Sequence, residues 1–134
     1  MDIEVFTICD FAQVNQSKMT IVGTFNSLSS DKFPVIASFY IAVRVRFEKG
    51  SEGKYRLSFT INNRDKETES SKLTVPADIS HIDGDLYIYQ LAISINNMKF
   101  DEPGEYTVDL YIDDFYKSIP LYIMAIDLTT QSPL

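Results

Sequence analysis

The segment GEYTVDLYID, Gly104 to Asp113, alternates apolar and polar side chains, and this period of two constrains the fold more than anything else in the chain. Successive side chains of a strand point to opposite faces. Tyr106, Val108, Leu110 and Ile112 are therefore committed to one side, and Glu105, Thr107, Asp109 and Tyr111 to the other. The same alternation sets Phe39, Ile41, Val43, Val45 and Phe47 against Arg44, Arg46 and Glu48. It sets Leu57, Phe59 and Ile61 against Ser58, Thr60 and Asn62. From Leu86 to Asn96, Tyr87, Tyr89, Leu91, Ile93 and Ile95 point together; from Tyr116 to Met124, Ile119, Leu121 and Ile123 do. Shorter runs lie at Ile3 to Cys9, Met19 to Phe25 and Leu73 to Val75, the last read as a short edge strand. No helical period competes. EKGSEG, NNRDKETESS and IDGD are polar and turn-rich, which separates the strands. Pro120 cannot donate to a ladder, so the final strand is expected at a sheet edge.

A chain of 134 residues can bury a sizeable core as one domain, expected over residues 1–128 with a loose tail at 129–134. Nine Phe and eight Tyr with no Trp suit half-buried pleated surfaces. Seven to eight strands at this spacing predict an all-β fold, an immunoglobulin-like antiparallel β-sandwich without a disulfide. Its expected core holds Phe39, Val43, Phe59, Leu91, Tyr106, Val108, Leu110 and Leu121. The Pro103-Gly104 turn feeding Tyr106 into a strand looks like a tyrosine corner, in which the phenol bonds back to the preceding loop. Val108 stands where antibody domains place a cysteine.

In order along the chain, CDFAQ, MTIVGTF, Phe33-Pro34, VRVRF, EPGEYTVDLYID and IPLYI resemble a group of small bacterial all-β proteins with no assigned function. The resemblance spans Phe6 to Ile123. It implies a bacterial sandwich domain and supplies no active site.

A formal net charge of −7 repels phosphate backbones, so no nucleic-acid partner is expected. The start of the chain, with Asp2 and Glu4, lacks a basic region and a small-residue cleavage site. No membrane partner is expected, and the location read from these features is cytoplasmic. Cys9 cannot form a disulfide within the chain. As a nucleophile it would need a base, and His81 is the only histidine; a hydrolase-like site would combine Cys9, His81 and an acid such as Asp10. Against that, Ile3, Val5, Thr7 and Cys9 alternate onto one face, which makes the thiol a small buried hydrophobe. No phosphate loop, zinc spacing or nucleophile elbow is present, so no catalytic residue and no cofactor are assigned. In the expected topology Glu48, Glu52, Asp83, Asp85, Asp113 and Asp114 gather at one end. Asp83, Asp85, Asp113 and Asp114 are the first candidates for calcium, but no spaced ligand motif is present and no metal site is assigned.

The function expected from these readings is non-catalytic binding or assembly through sheet faces, edges or loops, with a protein partner, self or other. A calcium-dependent module and the Cys9/His81 hydrolase are the alternatives. If the strands Phe39 to Phe47 and Leu86 to Asn96 pair, Tyr40, Ala42, Leu86, Ile88 and Ala92 form a partly apolar patch. That patch is either an interface or is covered by the N-terminal strands or the loop Asn26 to Ile36.

Overall fold

The computed structural model describes residues 1–66 and 69–127. The expected tail at 129–134 lies outside the described residues. Among the described residues nine strands run in chain order: β1 (Asp2–Asn15), β2 (Lys18–Thr24), β3 (Ser27–Ser30), β4 (Val35–Glu48), β5 (Gly53–Asn63), β6 (Glu69–Ile79), β7 (Leu86–Phe100), β8 (Gly104–Ile112) and β9 (Phe115–Ala125). They form a four-stranded sheet, β2-β1-β4-β7, and a five-stranded sheet, β3-β9-β8-β5-β6. Among the described residues there is no helix, and Cys9 is a free thiol. The all-β fold of two sheets without a disulfide is thus as expected.

The core lies between the sheets. Phe39, Ile41, Val43, Val45 and Phe47 of β4 meet Leu57, Phe59 and Ile61 of β5 and Tyr106, Val108, Leu110 and Ile112 of β8. Of the eight expected core residues, seven are buried, and Leu91 packs partly buried against the same cluster. The tyrosine corner is present: the Tyr106 hydroxyl donates to the Glu102 carbonyl at 2.8 Å. Burial pushes the Tyr106 phenol above its ordinary pKa.

The four-stranded sheet curls over its own outer face. β1 and β7, which flank β4, approach one another across it. The Gln90 amide of β7 donates to the Ser17 carbonyl in the β1–β2 turn at 2.9 Å. Small side chains make this curl fit: Cys9, Ala12 and Ala42 are buried beneath it, with Tyr40, Ala92 and Met19 around them. Beyond this cluster, Arg44 pairs with Glu4 at 2.8 Å and Arg46 with Asp2.

Two expectations about edges hold in part. β9 is not an edge strand along its full length, because β3 pairs with it in parallel from Tyr122 to Ala125. The Tyr122 N–H donates to Asn26 O at 2.8 Å, and nitrogens two residues apart face the same side, so the Pro120 nitrogen points just past the end of β3. Among the described residues, Phe115 to Leu121 have no partner on that side, so Pro120 lies on an open stretch of edge just before the β3 ladder starts. β6 is the edge strand foreseen at Leu73 to Val75, extended to Glu69–Ile79.

Candidate functional site

On β5 the alternation sends Tyr55, Leu57, Phe59 and Ile61 inward and Lys54, Arg56, Ser58, Thr60 and Asn62 to the outer face of the five-stranded sheet. On β8 it sends out Thr107, Asp109 and Tyr111, set opposite Asn62, Thr60 and Ser58 respectively. Small side chains thus occupy the middle of this face, and longer ones rim it. The result is a groove of about 990 Å³ whose walls include Lys54, Arg56, Lys72 and Tyr111, comparable with ligand sites of roughly 300–1,000 Å³. A second depression of about 580 Å³ adjoins it over β8 and β9, sharing Arg64 and lined by Tyr116 and Tyr122.

Beneath the rim lies a polar network around Asp109, which is only 4% exposed. Asn62 Nδ2 donates to Asp109 Oδ2 at 2.6 Å and to Thr60 Oγ1 at 3.0 Å. Thr107 and Thr60 hydroxyls donate to the same carboxylate oxygen at 3.3 and 3.5 Å. The Tyr116 hydroxyl donates to Oδ1 at 3.1 Å. An ionised carboxylate is acceptor-only, so donors from β5, β8 and β9 satisfy it and tie three strands together at one point. Alongside, the Ser58 and Thr74 hydroxyls share a bond of 3.3 Å. Tyr111 packs on Tyr116 with ring centroids 5.0 Å apart, although Tyr116 remains 53% exposed. Two rim cations are held by acids: Arg64 by Glu105 at 2.7 Å and Lys66 by Glu102 at 2.8 Å. Those hydrogen bonds raise the pKa of both cations.

The residues singled out from the sequence lie elsewhere. Cys9 is fully buried, with Sγ 3.8 Å from the Tyr40 carbonyl, and burial pushes its thiol pKa up. It sits level with Tyr40 and, one strand further, Ser94. His81 precedes the far end of β7; from Ser94 back to Leu86 is eight residues, about 26 Å of strand. The two are not brought together, and His81 instead pairs with Asp83 at 2.7 Å. Asp10 is exposed.

Asp83, Asp85, Asp113 and Asp114 do fall at one end. The Lys49 N–H donates to Asp85 O at 3.1 Å, and Asp113 Oδ1 accepts from the Arg56 N–H at 3.0 Å. Among the described residues no group of three or more His, Cys, Asp or Glu is placed to hold a metal. Of the apolar patch, Ala42 is buried under the curl, Tyr40 packs edge-on against Phe11 at 5.3 Å, and Ala92 borders the same cluster. Ile88 is half-buried and Leu86 is 50% exposed.

Alternation alone does not reveal the groove, because each of its residues reads as ordinary solvent-facing polarity. A usable signal is present: Ser58, Thr60 and Thr107 are short, and they sit on neighbouring strands between long Lys, Arg and Tyr side chains.

The fold and this face together define a class: an all-β domain of two sheets, one of which carries a polar groove over a buried carboxylate. The chain belongs to the family of unknown function DUF6941, which it matches over residues 4–124. Membership in a family of all-β proteins without assigned function is what the sequence motifs imply. No curated protein matches the chain. Among the described residues no helix is long and apolar enough to cross a membrane.

Proposed function

We propose that the protein is a non-catalytic binding domain whose binding surface is the outer face of the five-stranded sheet. The observation that carries this reading is the groove itself. A sheet face turned to water needs no buried acid, yet Asp109 lies at its centre, satisfied by side chains of three strands. Such a network holds the floor in one arrangement, which lowers the cost of ordering when a partner binds.

The topology is read as immunoglobulin-like. The order β9-β8-β5-β6 follows the G-F-C-C′ order of variable-type domains, and the tyrosine corner falls at the start of the F-like β8. A bacterial, cytoplasmic setting goes with this reading, supported by the sequence resemblance and by a single cysteine kept as a buried thiol.

Fragment screening by two-dimensional NMR tests the surface and requires no ligand to be chosen beforehand. Fragment hits are expected to perturb the amides of Ser58, Thr60, Asn62 and Tyr111. Hits centred on the curled sheet, or scattered evenly over the protein, would refute the assignment.

A further inference from the structure

We propose that the groove receives an extended acidic segment of a partner protein; this rests on the reading of the face as a binding surface and assigns its ligand class. Lys54, Arg56, Arg64, Lys66 and Lys72, five of the chain's twelve Lys and Arg residues, line the groove. Among the described residues the one acid lining it is Asp113, whose Oδ1 already accepts from the Arg56 backbone. Arg64 and Lys66 are held by Glu105 and Glu102. Lys54, Arg56 and Lys72 form no ion pair among the described residues, although Asp78 stands across from Lys54. In a chain of net charge −7 this is a strip of positive charge that forms no ion pair among the described residues. Complementary charge across an interface of this kind selects partners and orients their approach.

The spacing selects the kind of anion. Lys54 and Arg56 are two residues apart on β5, about 6.6 Å, which is also the distance between alternate side chains of an extended peptide. Lys72 stands opposite Thr60, four residues beyond Arg56, or about 13 Å further along. The strip is therefore about 20 Å long and fits some six extended residues bearing acids at alternate positions. Three cations spread over that length do not converge on a single phosphate. A nucleic acid, charged at every nucleotide, would carry its repulsion onto the acidic remainder of the chain. Ser58 on the floor, with Tyr111 opposite it on β8, lies between Arg56 and Lys72 along the strip.

The test is fluorescence anisotropy with a labelled eight-residue peptide of alternating Glu and Ser at low salt. Saturable binding is expected, weakening with added salt. The variant carrying Lys54→Glu, Arg56→Glu and Lys72→Glu is expected to bind at least tenfold more weakly. The Lys54→Gln, Arg56→Gln, Lys72→Gln variant, which keeps the groove uncrowded by new acids, should lose affinity in the same direction. A control with the same charge change elsewhere, Lys18→Glu, Lys32→Glu and Lys49→Glu, should lose less than the groove variant. Absence of saturable binding, equal loss in control and groove variants, or tighter binding of an eight-nucleotide oligothymidylate would each overturn the proposal. Fragment hits that still cluster on Ser58, Thr60 and Tyr111 would then leave the binding face standing and reject only the acidic ligand.

Discussion

Asp109 shows how a single side chain can hold a sheet face together. Its position on the polar side of β8 marks it as solvent-facing, yet Thr60, Asn62, Thr107 and Tyr116 all donate to it. Leaving buried donors without an acceptor costs about 1–3 kcal/mol. Asp109→Ala is therefore expected to lower unfolding stability by that amount in urea, whereas Asp114→Ala in the exposed β8–β9 turn should stay within about 0.5 kcal/mol. If the two substitutions had equal effects, the network would not be a stabilising element. Cys9 makes the opposite point: beside an acid and polar residues in the sequence, it is sealed among Ala12 and Ala42 as a small hydrophobe.

Among the elements, the β1–β2 hairpin carries most of what alternation leaves unread. β1 continues to Asn15 and turns through Gln16 and Ser17, with φ of 51° and 62°, before Lys18 pairs back on Asn15. Two central residues at positive φ define a type I′ turn, for which Asn-Gly is the favoured pair. Gln-Ser gives no such signal, so the turn is invisible to a reading of turn residues. It also predicts an improvement: Gln16→Asn with Ser17→Gly should raise stability by about 0.5–1 kcal/mol, read as a higher denaturation midpoint at unchanged slope. The Ser17 carbonyl that accepts from Gln90 is retained in that variant, so the curl of the sheet should survive. An unchanged or lowered midpoint would mean that the turn conformation is not what limits the hairpin. β3 is unreadable for a different reason, since in Ser27 to Ser30 a single apolar residue, Leu28, packs against the core, too little to show a period, and the ladder to β9 defines the strand.

Taken as a whole molecule, one core joins both sheets, and Leu110 lies at its centre with no exposed surface. Leu110→Ala removes buried methyl groups and leaves a cavity, with an expected loss of about 2–5 kcal/mol. Because the core is shared, circular dichroism and tyrosine fluorescence should report the same unfolding midpoint in wild type and variant. Separate transitions would show that the curled sheet and the five-stranded sheet unfold independently.

Local alternation alone determined that the chain is all-β and which faces of β4, β5, β7, β8 and β9 are buried, because a period of two assigns each side chain to a face without reference to any other strand, and the Pro103-Gly104 turn before Tyr106 marked the corner. Tertiary structure alone decided what lies opposite each polar face. The hairpin folds back over Ala42, which is buried, with Tyr40 and Ala92 packed partly buried beside it, while Leu86 at the far end of the patch stays 50% exposed. On the other sheet Ser58 and Thr60 become the floor of a groove rimmed by Lys54, Arg56, Lys72 and Tyr111, with Asp109 buried beside it. Periodicity measures direction from the sheet, whereas depth depends on the size of neighbours brought in by strand order and curvature, which no local pattern encodes.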